Sequence, residues 1–473
     1  MLHTPPPQAS LPPFSAAFVQ SMIQNGQYEQ ALRHLQPYVA TGPPTPEVLD
    51  AVSGCYWAMG QTTRALEVLS AMAELWPENP AIWAKRAARH LTLGHKPEAK
   101  AGFQRALALQ PGHLPILFAL NQVERFAPDS AEARQMETRL CDSDISAADR
   151  AGLHNALGRI LAASAPAQAL AHFVSSKALQ SGDYDPAATD RKVAILQKAY
   201  ARPLPLPSAE AQARSPRAVF ITGLPRSGTT LLETMLTQHE AVASVGESPA
   251  LIQSRASLLA AAGLSPDTSD MHETLPAELL AQGRALYFQM NQSRLTQPAP
   301  VIIDKLPQNI FELGWAADIM PEARFVFMLR HPLDVGLSLL SNTFHRGHYY
   351  ARRMEWIGHY IRANYAACDA LRSALGPRLR LQSYRALVEQ PQSQLSALLD
   401  HLSLDWQEAC LRPEDNDREV RTASITQVCE GINRSGLDKW RPFEPGLAPM
   451  IEALGGWQWI RAWEQRDAEA AAQ

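Results

Sequence analysis

Apolar and polar positions follow two different rhythms along this chain. Through residues 14–200 they return at helical spacing, and a longer period overlies it. Gly26, Gly60 and Gly94 recur every 34 residues, as do Ala31, Ala65 and Ala99, and Pro43, Pro77 and Pro111. Leu35, Leu69 and Phe103 are equivalent in the same phase, and Trp83 takes the aromatic position of the third repeat. Leu157-Gly158, Ala169 and Phe173 make a further copy shifted by two residues, while residues 114–152 are degenerate apart from Ala133, which keeps the phase. Three coincident registers predict paired helices stacked as an all-α solenoid. Small residues let the paired helices approach, and Pro ends the second helix of each pair.

Beyond Tyr200 the rhythm changes. Ala201-Arg-Pro-Leu-Pro-Leu-Pro-Ser208 interrupts the helical pattern, and such a proline cluster reads as a linker. Short apolar runs at 218–221, 242–245, 301–304 and 324–329 then alternate with helical stretches. Runs of strand length leading into helices predict a doubly wound parallel α/β sheet, with ligands held at the C-terminal ends of its strands. The expected organisation is a disordered N-terminus (1–15), a helical repeat domain (16–200), a proline-rich linker (201–217) and the α/β domain (218–473).

The first of these strands carries the strongest chemical signal. Val219-Phe-Ile-Thr-Gly-Leu-Pro-Arg-Ser-Gly-Thr-Thr-Leu-Leu232 runs from a strand through a glycine-bracketed turn into a helix whose Leu231, Leu232, Met235 and Leu236 share a side. A loop of this shape converges backbone N–H groups on an anion at a helix N-terminus. Gly223 and Gly228 have the spacing of a nucleotide-binding P-loop, but Thr229 stands where that loop carries Lys, so no side chain there reaches a γ-phosphate or orders Mg²⁺. Arg226 can instead fork two donors onto a terminal phosphate, which points to a nucleotide with a 5′-phosphate and no triphosphate.

The other strand ends add polar groups to the same crevice. Val242–Val245 ends at Gly246-Glu247, where Glu247 reads either as a general base for an acceptor hydroxyl or as a first-turn carboxylate before Pro249. Lys305 follows Val301-Ile-Ile-Asp304, a ligand-binding position unless Asp304 and Lys305 form a surface salt bridge. Arg324–Leu329 ends at Arg330-His-Pro, and the helix opened by Pro332 carries Asp334 and Ser338 on one face. Arg330 and Ser338 converge as a second phosphate site. Two separate phosphate sites and a base imply a nucleotide phosphorylated at two positions.

Composition narrows the field further. A formal charge of −4 on 473 residues, with a hydrophobic share of 46%, is globular and leaves no overall basic footprint for nucleic acid. Cys55, Cys141, Cys368, Cys410 and Cys429 are scattered, without a C-x-x-C pair, so neither a disulfide framework nor a zinc site is indicated. There is no signal-like N-terminus and no apolar run of membrane length. A soluble, cytoplasmic protein without metal, nucleic-acid or membrane partners is expected.

From residue 218 to 445 the chain resembles the sulfotransferases, and most closely the tyrosylprotein sulfotransferases and the bacterial proteins that join tetratricopeptide repeats to a sulfotransferase domain. The 34-residue repeat resembles the tetratricopeptide repeat. The resemblance implies that Pro225 to Thr230, with Arg226, Ser227, Gly228, Thr229 and Thr230, holds the 5′-phosphosulfate of 3′-phosphoadenosine 5′-phosphosulfate (PAPS). It implies Arg330 and Ser338 at the 3′-phosphate, Glu247 as catalytic base, and Lys305 in the Lys-x-Pro turn as the catalytic lysine. Tyr384, after Leu381-Gln-Ser, falls near the adenine, and Ser424, Gln427, Asn433 and Lys439 fall in a C-terminal segment closing over the nucleotide. Two departures stand out: Asn342 occupies a position where the tyrosylprotein enzymes have Arg, and their basic residues beside the catalytic Glu have no clear counterpart around Ser248 to Ala250.

The expected reaction is in-line sulfuryl transfer to an acceptor hydroxyl, on a protein, a peptide tyrosine or a small compound. Arg226 would anchor the 5′-phosphate, Lys305 would steady the leaving oxygen and Glu247 would take the proton. Some sulfotransferases use His, so His331 and His345 are alternative bases, although His331 before Pro332 reads more simply as a turn residue. His345-Arg-Gly-His-Tyr-Tyr-Ala-Arg-Arg353 is the densest basic and aromatic cluster, read either as an acceptor-side lid or as a solvated loop. The repeats read either as a groove for a protein partner or as a solenoid that stabilises the protein or makes a homodimer. Two other classes stand beside the transferase. A P-loop kinase would need Lys at Thr229 and a Mg²⁺-binding acid, neither of which is evident. A repeat scaffold with an inactive nucleotide-binding domain would be expected to have lost Arg226, Glu247, Lys305 or Ser338.

Overall fold

A computed structural model of the chain describes residues 12–24, 27–41, 43–265, 275–295, 297–344, 347–415 and 431–473. The expectations for residues 1–11, Gly26, His345, Ser424, Gln427 and Cys429 therefore lie outside the described residues. By packing, the chain divides into two compact units, one ending at Gln135 and the other beginning at Met136.

The first unit is helical. Its helices are α1 (Ala16–Gln24), α2 (Tyr28–Ala40), α3 (Pro46–Ala58), α4 (Thr62–Leu75), α5 (Pro80–Thr92), α6 (Lys96–Leu109) and α7 (Leu114–Val123). The 34-residue phase is a burial phase: Ala31, Ala65, Ala99, Leu35 and Leu69 are fully buried and Phe103 is 3% exposed. Gly60 and Gly94 take left-handed φ values of 75° and 79° in the turns inside the helix pairs. That conformation is open to Gly at no steric cost. The α8 helix (Ala131–Leu140) spans the division between the units.

The second unit begins with three more helices, α9 (Ala147–Leu161), α10 (Pro166–Ala178) and α11 (Pro186–Ala199), and the single turn α12 (Ala209–Gln212). The sheet follows. Its strands are β1 (Arg217–Gly223), β2 (Val242–Gly246), β3 (Val301–Asp304), β4 (Arg324–Leu329) and β5 (Leu379–Ser383), all parallel in the order β2-β3-β1-β4-β5. Between them lie α13 (Thr229–Leu236), α14 (Ala250–Ala261), α15 (Ala277–Asn291), α16 (Leu313–Ile319), α17 (Pro332–Ser341) and α18 (Met354–Leu375). The chain ends with α19 (Tyr384–Glu389), α20 (Pro391–Leu402), α21 (Ala448–Leu454) and α22 (Gly456–Ala471).

Strand residues alternate between two cores, as a sheet covered on both faces requires. Phe220, Phe325, Phe327 and Leu381 face one, and Val219, Ile221, Val326 and Ile303 face the other. Ala169, Leu170 and Phe173 of α10, Val193 and Leu196 of α11 and Tyr200 belong to the first of these cores. Tyr200 also donates from its hydroxyl to Asp318 Oδ2 at 2.6 Å. Helices α9–α11 are thus built into the α/β unit, and the packing division falls ahead of the proline cluster at 201–208.

Candidate active site

The five strands present their C-terminal ends along one edge, and each is followed there by a residue singled out by the sequence. β1 leads into the Gly223–Gly228 loop, β2 into Glu247, β3 into Lys305, β4 into Arg330 and β5 into Tyr384. A parallel sheet imposes this common edge, because every crossover returns the chain to the same starting side.

The loop is held in a conformation that few residues allow. Arg226 has φ 72° and Gly228 φ 104°, both left-handed, and Gly228 caps α13. A Cβ at Gly228 would lie 2.4 Å from Tyr384 Cδ2, so only glycine lets the ring rest on the loop. Thr229 and Thr230 are buried at the start of α13. The Ser227 hydroxyl and the Arg330 Nε are buried and have no hydrogen-bond partner among the described residues. Unsatisfied donors of this kind at a helix N-terminus are chemically matched to a phosphate.

The second group sits around Ser338. Arg226 Nε donates to Ser338 Oγ at 3.0 Å, and Arg330 Nη1 donates to the Arg226 carbonyl at 2.6 Å while Nη2 donates to the Gly436 carbonyl at 2.5 Å. The Arg330 guanidinium lies over the Tyr384 ring, 4.7 Å from its centre. Burial pushes the Arg226 guanidinium down to about 10, helped by the charges of Arg330 and Arg159. Asp334 accepts from the backbone N–H groups of Asp438 and Trp440 at 2.9 and 3.1 Å, fixing the 436–440 segment beside Arg330. Of the residues expected in that segment, Asn433 is engaged in its own turn, donating to Gly431 O and accepting from Ser435 N, and Lys439 is exposed.

The third group joins β2 and β3. Lys305 Nζ is 2.7 Å from Glu247 Oε1 and 3.5 Å from Glu233 Oε2, with the lysine 1% exposed and Glu247 about half exposed. Glu233 Oε1 also accepts from Ser244 Oγ at 2.5 Å. The reading of Asp304 and Lys305 as a surface salt bridge is corrected, since both are buried and their partners differ. Asp304 accepts from Tyr287 OH at 3.1 Å and Asn309 Nδ2 at 3.0 Å. Burial raises its carboxyl to about 8.

His331 is packed at the start of α17. Its Nδ1 accepts from Leu333 N at 3.3 Å, capping α17, and its ring stacks on Trp440 at 4.9 Å. Burial lowers its pKa to about 4, which keeps it neutral near pH 7. The described part of the 345–353 cluster, residues 347–353, is not simply solvated, because Tyr350 is 3% exposed and stacks on Tyr360 with ring centres 3.6 Å apart. His348 bonds the Tyr350 hydroxyl through Nδ1 at 2.8 Å, and its pKa is lowered by burial while Glu247 acts to raise it.

Sequence reasoning missed Glu233 and Arg159. Glu233 had a legible signal, being the one charged residue in the apolar α13 segment Thr-Thr-Leu-Leu-Glu-Thr-Met-Leu. Arg159 had none, for it lies in a helix far from the strands.

Residues 216–408, which contain the parallel sheet and these strand-end residues, match the model of the sulfotransferase family. Among individual relatives, the chain is 32% identical over 246 residues to an uncharacterized protein of Aquifex aeolicus, covering 51% of this chain and 32% of that one. It is 25% identical over 261 residues to a protein-tyrosine sulfotransferase of Drosophila melanogaster, covering 50% of this chain and 51% of the relative. The chain thus spans about a third of the first relative's length and about half of the second's. Among solved structures it is similar to the sulfotransferase domain of the Synechococcus PCC 7002 olefin synthase, at 22% identity and a TM-score of 0.36, over 51% of this chain and 91% of that domain. Among the described residues no helix is long and apolar enough to cross a membrane.

Proposed function

We propose that this protein moves a sulfuryl group from PAPS to an acceptor hydroxyl. The reading is carried by the 2.7 Å pairing of Glu247 with the buried Lys305, on the strand edge that also bears the arginine-containing loop. The 5′-phosphosulfate is held by Arg226, Ser227, Gly228, Thr229 and Thr230, and the 3′-phosphate by Arg330 and Ser338. Tyr384 flanks the nucleotide, with the segment of Asn433 and Lys439 as its cover. In the transfer, the acceptor oxygen bonds to sulfur as the bond from sulfur to the bridging phosphate oxygen breaks. The acceptor proton passes to Glu247. The electron pair stays on the phosphate oxygen, to which the Lys305 ammonium donates. The name of the Drosophila relative supports a tyrosine hydroxyl on a protein or peptide as acceptor, with the helical repeats, read as tetratricopeptide repeats, presenting it.

Two measurements test the reading. Calorimetry with 3′-phosphoadenosine 5′-phosphate should show tight binding that is unchanged by Mg²⁺, whereas a preference for ATP with Mg²⁺ would favour a kinase. Glu247→Ala should lower transfer of labelled sulfate to acceptors in a lysate by roughly 10²–10⁴-fold while leaving nucleotide affinity within about twofold. Undiminished transfer by that variant would remove Glu247 from the mechanism.

A further inference from the structure

We infer that Arg159, on helix α9 of the helical region, is a nucleotide-binding residue that helps select a donor bearing a second phosphate. The inference rests on the donor reading proposed above and adds to the site an element that precedes the α/β domain in sequence.

The geometry runs from α9 to the loop in three short links. Arg159 Nη2 donates to Asn342 Oδ1 at 2.8 Å and to the Ser341 carbonyl at 3.2 Å, and Arg159 Nε donates to Asn155 Oδ1 at 3.1 Å. Asn342 Nδ2 donates to Ser338 O at 2.7 Å and to Ser338 Oγ at 3.2 Å. Ser338 Oγ in turn accepts from Arg226 Nε. One serine hydroxyl is therefore shared between the loop arginine and the amide that Arg159 grips. A second basic group from the helical region joins it: the buried Lys177 of α10, whose pKa burial lowers to about 7, donates from Nζ to the Asn342 carbonyl at 2.5 Å.

Two functions are open to an arginine in this place. It can cap the C-terminal end of α17, where a cation meets the negative end of the helix dipole. It can also meet an anion, and several features favour this second role in addition to the first. Arg159 is only partly buried. Arg226 holds Ser338 directly and Arg159 holds it through Asn342, while Arg330 donates to the Arg226 carbonyl. The charges of Arg330 and Arg159 both act on Arg226, after burial, to lower its pKa. Like charges gathered at a half-buried site repel one another, and a doubly charged phosphate relieves that repulsion while accepting the donors that guanidinium forks offer. A mono-phosphorylated nucleotide anchored by the loop at Gly223–Gly228 would leave this second cluster without its anion.

The test uses the full chain and two ligands, 3′-phosphoadenosine 5′-phosphate and adenosine 5′-monophosphate, by calorimetry at fixed low salt. Arg159→Met should weaken the bisphosphate by about 10- to 100-fold, the range of a lost charge-assisted contact, and change the monophosphate by less than about twofold. Arg159→Lys should recover part of the loss. Equal weakening of both ligands, or a lowered thermal midpoint with the affinity ratio unchanged, would show a capping role alone and overturn the inference. If the unaltered protein binds neither nucleotide, the donor reading itself fails. If it binds the bisphosphate and Arg159→Met binds it equally well, only the role of Arg159 fails.

Discussion

Asp304 and Lys305 are neighbours in sequence with opposite surroundings. The lysine reaches two carboxylates at the strand edge, whereas the aspartate turns into the core and accepts from Tyr287 and Asn309. Desolvation therefore favours the protonated acid, and the carboxyl rises from its ordinary 3.8 to about 8. The sign of the stability effect follows. Between about pH 4 and pH 8 the folded protein keeps a proton that the unfolded chain has lost, so the contribution is complete below the lower value and is lost as pH rises through the higher. Thermal midpoints of the unaltered protein should fall between pH 5 and pH 9 relative to those of Asp304→Asn, whose amide does not titrate. A constant difference across that range would mean that Asp304 is ionised throughout. At this scale the sequence was legible where a side chain sits at a strand end, as with Arg226, Glu247 and Lys305. It was silent on Arg159, which meets Asn342 across a separation of 183 residues.

The loop between β1 and α13 shows what an element adds to its residues. Its backbone geometry, with Arg226 and Gly228 both left-handed, is set by the need to leave a strand and enter a helix within five intervening residues. Position 228 is doubly constrained, by φ 104° and by the Tyr384 ring against which a Cβ would fall at 2.4 Å. Gly228→Ala should cost at least about 1–2 kcal/mol from the left-handed backbone alone, with displacement of Tyr384 adding to it. Denaturant unfolding reads the first part. A loss of affinity for 3′-phosphoadenosine 5′-phosphate reads the second, because Tyr384 carries the Arg330 guanidinium on its face. An alanine variant with unchanged stability would show that the loop relaxes freely. Four of the five strands were legible as short apolar runs, and their residues do face two cores; β5, Leu-Arg-Leu-Gln-Ser, is too polar to read as one. The order β2-β3-β1-β4-β5 was not legible, because periodicity records which faces are buried and leaves open which neighbour covers them.

For the whole molecule the same limit governs where one folding unit ends. The repeat phase and the proline cluster place a boundary near residue 201, and nothing in the pattern of Ala169, Phe173, Val193 or Leu196 reveals what they pack against. In the structure they lie in the core of the α/β unit with Trp315, Phe327 and Ile357. Asn155, Arg159 and Lys177 hold the end of α17. Removing α9–α11 would expose that apolar surface, at roughly 25 cal/mol for each Å² returned to water, and would strip Asn342 of its donors Arg159 and Lys177. A chain beginning at Met136 should therefore fold and bind 3′-phosphoadenosine 5′-phosphate with affinity within about threefold of the full chain. A chain beginning at Ala201 should aggregate or melt far lower and bind the nucleotide weakly. Circular dichroism melts and calorimetry on the two fragments separate the cases. Equal stability and affinity for the shorter fragment would mean that α9–α11 are accessory, and would also count against a donor-binding role for Arg159.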